Sequence, residues 1–172
     1  MPPVPRNVNA ELFADNGSMA VLLLILCALV CARSEPAFPA GEMLSAHNAI
    51  RSRVGLPPLR WSDSLAHFAR DWANTLLARK QFSHRPNSLY GENLFEIEGA
   101  PASPHEVVGD WGSEARDYDY RSNRCHGHCG HYTQIVWRNT RSVGCAVARG
   151  RGIEIWGCNY DPPGNYVGQR PY

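Results

Sequence analysis

Two cysteines and three histidines fall within seven consecutive residues, in the stretch CHGHCGH from Cys125 to His131. Thiolate and imidazole groups are the ligands that zinc prefers, and two nearby cysteines can instead form a disulfide. The redox compartment decides between these outcomes, because exported proteins oxidise their thiols and cytosolic proteins keep them reduced. Three further titratable residues lie in short motifs, namely His84 in FSHRP, Glu92 in YGENL and Glu114 in WGSEARDY.

An export signal is predicted near the start of the chain. The run from Val21 to Val30 is apolar but shorter than a membrane span, and Val30 and Ala32 are small residues at the positions that a signal peptidase reads. A buried helix or a membrane anchor is the alternative. We expect a secreted, extracellular protein that has no membrane span once the signal is removed, and its thiols should then be paired.

The remaining chain is long enough for one domain with a single core. Lys plus Arg is 17 against 16 for Asp plus Glu, so the charge predicts no nucleic-acid partner, and we expect a monomer. The predicted organisation is a lead of undefined status at 1–18, with Met1 or Met19 as the start, a signal peptide at 19–32, a linker at 33–41 and one domain at 42–172.

Apolar periodicity predicts the elements that must position the titratable residues. A helix is expected from Met43 to Val54, a second from Ser62 or Asp63, and a strand from about Glu92 to Ile97. A third helix is expected to begin near Pro104 with one apolar face, formed by Val107, Val108, Trp111 and Ala115.

A β-hairpin is predicted in the last third of the chain, with Arg151-Gly152 as its turn. Counting outward from this turn sets Cys145 directly opposite Cys158, close enough for a disulfide. Cys27 and Cys31 leave with the signal peptide, so Cys125 and Cys129 remain for each other. A Cys/His zinc site at that pair is the alternative if the domain is cytosolic. Three helices with an antiparallel sheet indicate an α+β domain in layers.

Two long motifs resemble the signatures of the CAP superfamily, which groups cysteine-rich secretory proteins, antigen 5 and plant pathogenesis-related proteins of the first class. They are GHYTQIVWRNT, from Gly130 to Thr140, and WGCNYDPPGNYVG, from Trp156 to Gly168. The likeness runs from LSAHNAIRSRVGLPPLRW through YGENL to GQRPY, and it is greatest to the plant class or to short bacterial relatives.

The resemblance implies an α+β fold of the CAP type, a three-layer α-β-α sandwich with a shallow cleft. In the family, two histidines and two glutamates line this cleft, and their motif positions correspond here to His84, Glu92, Glu114 and His131, the cleft tetrad. The two histidines are candidate zinc ligands. Taken alone, each residue has a plainer reading: a loop histidine, a strand-start glutamate, an exposed helix glutamate and a structural histidine at the edge of the core.

The cysteine pattern departs from that of the plant proteins, which usually carry three disulfides. Lys80 stands where one further cysteine is expected, and the second is missing between Arg149 and Gly152. The resemblance implies that these two cysteines pair with each other, so that no single thiol is left over. It also implies the pairs Cys125 with Cys129 and Cys145 with Cys158, in agreement with the hairpin register.

Three functions follow from these observations. The resemblance favours a secreted protein without catalytic activity that binds a lipid or sterol or acts in defence. A zinc-dependent hydrolase that uses the tetrad is the chemical alternative, with His84 and His131 as ligands and Glu92 or Glu114 as general base, although the chain has no HExxH motif. A nucleophilic site at Ser83, beside His84, is a further alternative, but the chain has no GxSxG motif. The segment from Pro162 to Tyr172 also resembles a signalling peptide released by cleavage after Asp161, with a structural tail over the sheet as the alternative.

Overall fold

Four helices and six strands form the domain at residues 38–172, the part of the chain that the computed structural model describes. The helices are α1 (Ala40–Arg53), α2 (Asp63–Arg79), α3 (Pro104–Ser113) and α4 (Gly130–Ile135), and a 3-10 turn (Glu114–Asp117) follows α3. The strands are β1 (Arg60–Trp61), β2 (Gly91–Glu98), β3 (Tyr118–Asp119), β4 (Arg124–Cys125), β5 (Ser142–Gly150) and β6 (Ile153–Asp161). Within this part of the chain, no helix has the length and apolar character needed to cross a membrane. The predicted lead and signal peptide lie outside the described residues.

The main sheet is built around the β5–β6 hairpin and has the strand order β1-β5-β6-β2. Arg151 and Gly152 form the turn with φ angles of 55° and 77°, as a two-residue hairpin loop requires. The register sets Cys145 opposite Cys158, as predicted. β2 pairs antiparallel with β6, whereas β1 pairs parallel with β5. The antiparallel arrangement is therefore confirmed for the three long strands, and β1 makes the whole sheet mixed.

Helices cover both faces of this sheet, because successive residues of a strand point to opposite sides. Val143 and Cys145 pack with residues of α1 and α3 in the larger core, whereas Ala148 packs with α2 in the smaller one. Gly144 lies under the start of α2, where a Cβ atom would come within 2.3 Å of the Ser62 carbonyl oxygen. The predicted three-layer α-β-α sandwich is confirmed.

The first helix begins earlier than its apolar pattern indicated. It starts at Ala40 rather than Met43, so the last residues of the predicted linker at 33–41 form its first turn. The Phe38 ring anchors this entry to the domain, since its centroid lies 5.8 Å from the ring of Trp61 and 5.8 Å from that of Trp156. Packing of these rings thus extends the folded domain towards the start of the chain.

The second and third helices begin where they were predicted. Ser62 caps α2 and Ser103 forms a capping box at the start of α3. The predicted core position of Ala115 is wrong, because α3 ends at Ser113 and Ala115 is exposed. The backbone tightens there into the 3-10 turn, which rotates the following side chains away from the helix face.

Both predicted disulfides are present, one joining Cys125 to Cys129 and one joining Cys145 to Cys158. Cys145 and Cys158 are fully buried between the hairpin strands, and the other pair closes a short loop ahead of α4. The sulfur atoms of Cys125 and Cys129 are bonded to each other, so the zinc alternative for this pair is not realised. Lys80, at the position where the resemblance implied a further cysteine, borders a pocket beside the β5–β6 turn.

Candidate functional site

The four residues of the predicted tetrad line one cleft of about 350 Å³. His84 lies in the loop after α2, and Glu92 is the second residue of β2. Glu114 opens the 3-10 turn after α3, and His131 is the second residue of α4. Four separate elements therefore bring two imidazoles and two carboxylates together.

Glu114 fixes both the ring of His131 and the start of α4. Its Oε1 lies 2.7 Å from His131 Nδ1, and its Oε2 accepts hydrogen bonds from the backbone N–H groups of His131 (2.9 Å) and Tyr132 (3.2 Å). The Trp111 ring stacks on the imidazole with 5.9 Å between centroids. A carboxylate at the N-terminus of a helix is favourable, because the first N–H groups have no partner within the helix.

The expectation of an exposed helix glutamate at position 114 is wrong. The Glu114 side chain is only 13% exposed, and His131 is 33% exposed. Since α3 ends at Ser113, the following turn aims Glu114 towards α4 instead of towards solvent. Its burial is compensated by three hydrogen bonds to the carboxylate.

Glu92 holds the second histidine in the same manner. One oxygen, Oε1, lies 2.8 Å from His84 Nδ1 and accepts a hydrogen bond from the backbone N–H of Arg85 at 3.0 Å. The Glu92 side chain is 7% exposed whereas that of His84 is 67% exposed. The Arg85 guanidinium stacks 3.8 Å from the Phe68 ring and so ties the loop to α2. The hydrogen bond to Glu92 raises the pKa of His84, and partial burial of the ring opposes this only in part.

Both histidines therefore use Nδ1 to donate to a carboxylate. When the ring is neutral, this assigns the proton to Nδ1 and leaves Nε2 with its lone pair. A carboxylate on one ring nitrogen, with the other free, is the usual setting of a metal-binding histidine. The cleft thus offers two oriented imidazole nitrogens, and the glutamates act by positioning them.

The tetrad is not a preassembled site with three metal ligands. Among the described residues, the one group of three candidate ligand atoms within 4.8 Å of one another belongs to His47, Cys145 and Cys158. The two sulfurs of that group form a disulfide, so they are not available to a metal. A cation in the cleft would take two protein nitrogens and complete its coordination with water or ligand atoms.

The disulfide loop contributes a third histidine to the wall of this cleft. His128 borders it, whereas His126 is exposed and is not part of its lining. Asp117 holds the loop, because its carbonyl oxygen accepts from the backbone N–H of His126 at 2.8 Å. Ser83, the alternative nucleophile, does not line the cleft.

The C-terminal segment supplies a cleft residue that sequence reasoning missed. Asn165 lines the cleft, donates to the Gly130 carbonyl oxygen at 2.8 Å and accepts from the Thr133 hydroxyl at 2.7 Å. The segment packs against α4 and the 118–121 region rather than over the sheet as expected, with the Tyr172 ring stacked 4.8 Å from that of Tyr120. Gly164 and Asn165 follow two prolines, which indicated a turn but gave no sign of the cleft.

Replacing Glu92 by glutamine is expected to lower the pKa of His84 towards its ordinary value. The amide keeps the size of the side chain but removes the negative charge that stabilises the imidazolium form. A titration of the histidine ring protons by NMR measures this change. Glu96→Gln, an exposed change on the same strand, is the matched control, and an equal His84 pKa in both variants would contradict the assignment.

The sandwich and its paired His/Glu cleft define a protein of the CAP class. The model of the family described as CAP, the cysteine-rich secretory protein family, matches residues 44–160. The chain belongs to this family, which confirms the resemblance of its two long motifs.

Plant pathogenesis-related proteins are among the similar sequences. The chain is 43% identical over 159 residues to pathogenesis-related protein 1 of Arabidopsis thaliana. This alignment covers 90% of this chain and 98% of the relative. It is 46% identical over 134 residues to pathogenesis-related protein 1A of Nicotiana tabacum, with 76% and 79% covered. The predicted likeness to the plant class is confirmed.

Solved structures share the fold at lower identity. The venom allergen-like protein 4 of Schistosoma mansoni is 27% identical with a TM-score of 0.62, covering 76% of this chain and 90% of that one. The crystal structure of NaASP2 with Zn²⁺ has a TM-score of 0.65 at 23% identity, covering 77% and 84%. At that identity the second likeness concerns the fold alone.

Proposed function

We propose that this protein is a secreted, defence-related protein that acts by binding a ligand rather than by catalysing a reaction. The defence role is supported by relatives that are named as pathogenesis-related proteins. Secretion is supported by the predicted signal peptide at 19–32 and by the two disulfides, which persist in oxidising compartments.

The binding proposal rests on the hydrogen bonds that both cleft glutamates already make within the protein. Glu92 and Glu114 each hold a histidine Nδ1 together with backbone N–H groups. A general base needs a carboxylate placed to take a proton from a reacting molecule, and these two are placed to orient imidazole rings. This supports a binding cleft over the alternative of a zinc-dependent hydrolase.

Zinc is a candidate ligand of the cleft, and the donor set fits it. His84 and His131 would hold the ion through Nε2, while Glu92 and Glu114 keep the two rings in place. Bound zinc would supply a positive charge with open coordination positions for oxygen atoms of a further ligand.

A lipid or sterol is the ligand class that we propose for the domain as a whole. Support comes from a largely apolar pocket at the end of α2, which shares no lining residue with the His/Glu cleft. The domain would thus offer two separate binding surfaces of different chemistry.

Release of Pro162–Tyr172 as a signalling peptide stays a prediction. The segment is held to the domain by the Asn165 side chain and by a hydrogen bond of 2.6 Å from Arg138 N to the Pro171 carbonyl oxygen. Cleavage after Asp161 would therefore leave the segment bound until these contacts separate.

Zinc titration by calorimetry on the chelator-stripped protein tests the cleft. Binding near one to one is expected, and it should be weakened at least tenfold in His84→Ala/His131→Ala because both nitrogen donors are lost. His126→Ala is the matched control, because His126 lies on the disulfide loop and does not line the cleft. If zinc binding is absent, or is lost only in this control, the cleft is not the metal site.

A further inference from the structure

Four tyrosine rings meet where the C-terminal segment packs against the region that follows the 3-10 turn, namely Tyr118, Tyr120, Tyr132 and Tyr172. The rings of Tyr120 and Tyr172 are stacked, with 4.8 Å between their centroids and an angle of 15° between their planes. By comparison, the Tyr118 ring lies 6.3 Å from that of Tyr132 and 6.4 Å from that of Tyr172. Two phenol rings from distant parts of the sequence are therefore in direct contact.

Polar contacts on both sides hold this ring pair in place. The Arg170 guanidinium donates to the backbone carbonyl oxygens of Tyr120 and Arg121, and it lies 5.2 Å from the centroid of the Tyr120 ring. The Tyr172 hydroxyl oxygen lies 3.2 Å from that of Tyr132, within hydrogen-bonding distance. The stacked arrangement is thus part of the folded structure.

The stacked pair is also the more accessible part of the cluster. Tyr120 is 44% exposed and Tyr172 is half-buried, whereas Tyr132 is 6% exposed. Burial raises the pKa of Tyr118 and that of Tyr132, so these two phenols hold their protons more firmly than usual. An external oxidant therefore removes an electron and a proton most readily from the stacked pair.

We propose that Tyr120 and Tyr172 form a site of dityrosine cross-linking, with a haem peroxidase and hydrogen peroxide as the oxidising system. Each phenol loses one electron and its hydroxyl proton, and the two radicals join through ring carbons that neighbour the hydroxyl-bearing carbons. The hydrogens on those two carbons then move as protons to the oxygens, which restores both hydroxyl groups. Hydrogen peroxide takes up the two electrons and two protons and becomes two molecules of water. Stacking favours this coupling, because the two radicals must meet before either is quenched.

The cross-link would change the fate of the C-terminal segment. Tyr120 lies between β3 and β4, so the new bond joins Tyr172 to a part of the chain that precedes Asp161. A cut after Asp161 would then leave Pro162–Tyr172 covalently attached to the domain. This consequence rests on the release proposed above, whereas the cross-link itself does not.

Treatment of the intact protein at low concentration with a haem peroxidase and a limiting amount of hydrogen peroxide tests the proposal. We expect the blue fluorescence of dityrosine in the monomer fraction, a mass lower by two hydrogen atoms, and a pair of tryptic peptides joined between Tyr120 and Tyr172. Tyr120→Phe and Tyr172→Phe should each lose the fluorescence of the monomer. Phenylalanine keeps the stacked ring and removes only the hydroxyl group, so these variants keep the packing of the protein.

Two controls separate this pair from other tyrosines. Tyr166→Phe is the matched control, because Tyr166 lies on the same segment, is 50% exposed, and has its ring 6.0 Å from that of Trp137. Tyr118→Phe removes the neighbouring phenol of the cluster. Both variants should keep the dityrosine fluorescence of the unchanged protein.

Cleavage in mild acid gives a second readout. Mild acid cuts Asp–Pro bonds in preference to other peptide bonds, and Asp161-Pro162 is the one such bond in the sequence. In denaturant, the untreated protein should then release Pro162–Tyr172, while the cross-linked monomer should retain it.

Four results would overturn the proposal. They are the absence of dityrosine from the monomer, an equal yield in Tyr120→Phe and Tyr166→Phe, a mapped bond between other tyrosines, and release of the segment from the treated monomer as complete as from the untreated protein.

Discussion

Replacing Arg51 by methionine is expected to lower the free energy of unfolding by about 3 to 5 kcal/mol. Arg51 lies on α1 and is 1% exposed. Its guanidinium donates to the carbonyl oxygens of Pro57 (2.9 Å), Ile135 (2.8 Å) and Trp137 (2.9 Å). Burial lowers the pKa of Arg51 to about 10, so the side chain stays charged at neutral pH. Methionine fills much of the same space but leaves these oxygens without their donor.

Denaturant unfolding followed by tryptophan fluorescence, with the disulfides intact, measures the loss. Arg53→Met is the matched control, because Arg53 lies on the same helix and is exposed, and it should change stability by less than about 0.5 kcal/mol. Arg51→Lys should fall between the two, since a single ammonium cannot reproduce the planar fork of donors. Equal midpoints for Arg51→Met and Arg53→Met would show that the buried network contributes nothing.

Local patterns were sufficient for the elements whose ends are set by nearby residues. The predicted strand from Glu92 to Ile97 is extended by one residue at each end in the structure. The hairpin register was predictable because a two-residue turn fixes every pair that follows it. That register in turn placed Cys145 opposite Cys158, which the structure confirms.

The site could not be predicted from local patterns, because its contacts join distant segments. Glu114 contacts a helix 17 residues away, and Asn93 donates to the His131 carbonyl oxygen across 38 residues. Nothing near Glu114 in the sequence indicates where α3 ends, and α4 is only six residues long. The resemblance to the CAP superfamily named the tetrad, whereas local reasoning favoured a plain structural role for each member.

Arg51 shows, in the core, the same limit of prediction from local sequence patterns. Its position on α1 follows the helical pattern, but two of its acceptors, Ile135 and Trp137, lie 84 and 86 residues away. A sequence pattern of apolar positions assigns a charged residue to the surface, since such side chains are seldom fully buried. Only the folded chain reveals that carbonyl groups at the end of α4 need this donor.

Acidification from pH 6.5 to about pH 4 is expected to remove about 3 kcal/mol of stability through His47 alone. His47 is fully buried, with Nδ1 2.8 Å from the Met43 carbonyl oxygen and Nε2 2.8 Å from the Tyr160 hydroxyl oxygen. A carbonyl oxygen only accepts, so Nδ1 carries the proton and Nε2 accepts from the hydroxyl group. Burial lowers the pKa of His47 from 6.5 to about 4, and the nearby positive charge of Arg51 adds to this.

The direction of the stability change with pH follows from the number of protons that the folded and unfolded states bind. Below pH 6.5 the unfolded chain protonates His47 while the folded chain does not until about pH 4, so acid favours unfolding throughout that window. The raised pKa of His84 acts in the opposite direction, because its contribution is present in acid and is lost as the pH rises through the folded pKa. The exposure of His84 keeps that opposing contribution small.

Unfolding free energies measured at several pH values between 7 and 4 isolate the contribution of His47 when the protein is compared with His47→Gln. Glutamine donates and accepts but does not titrate, so the variant should be less stable at neutral pH and should lose less stability on acidification. The gap between the two proteins should therefore narrow by about 3 kcal/mol at pH 4. His105→Gln, an exposed change, should keep the slope of the unchanged protein. Parallel curves for the protein and His47→Gln would mean that buried His47 does not set the acid limit of this fold.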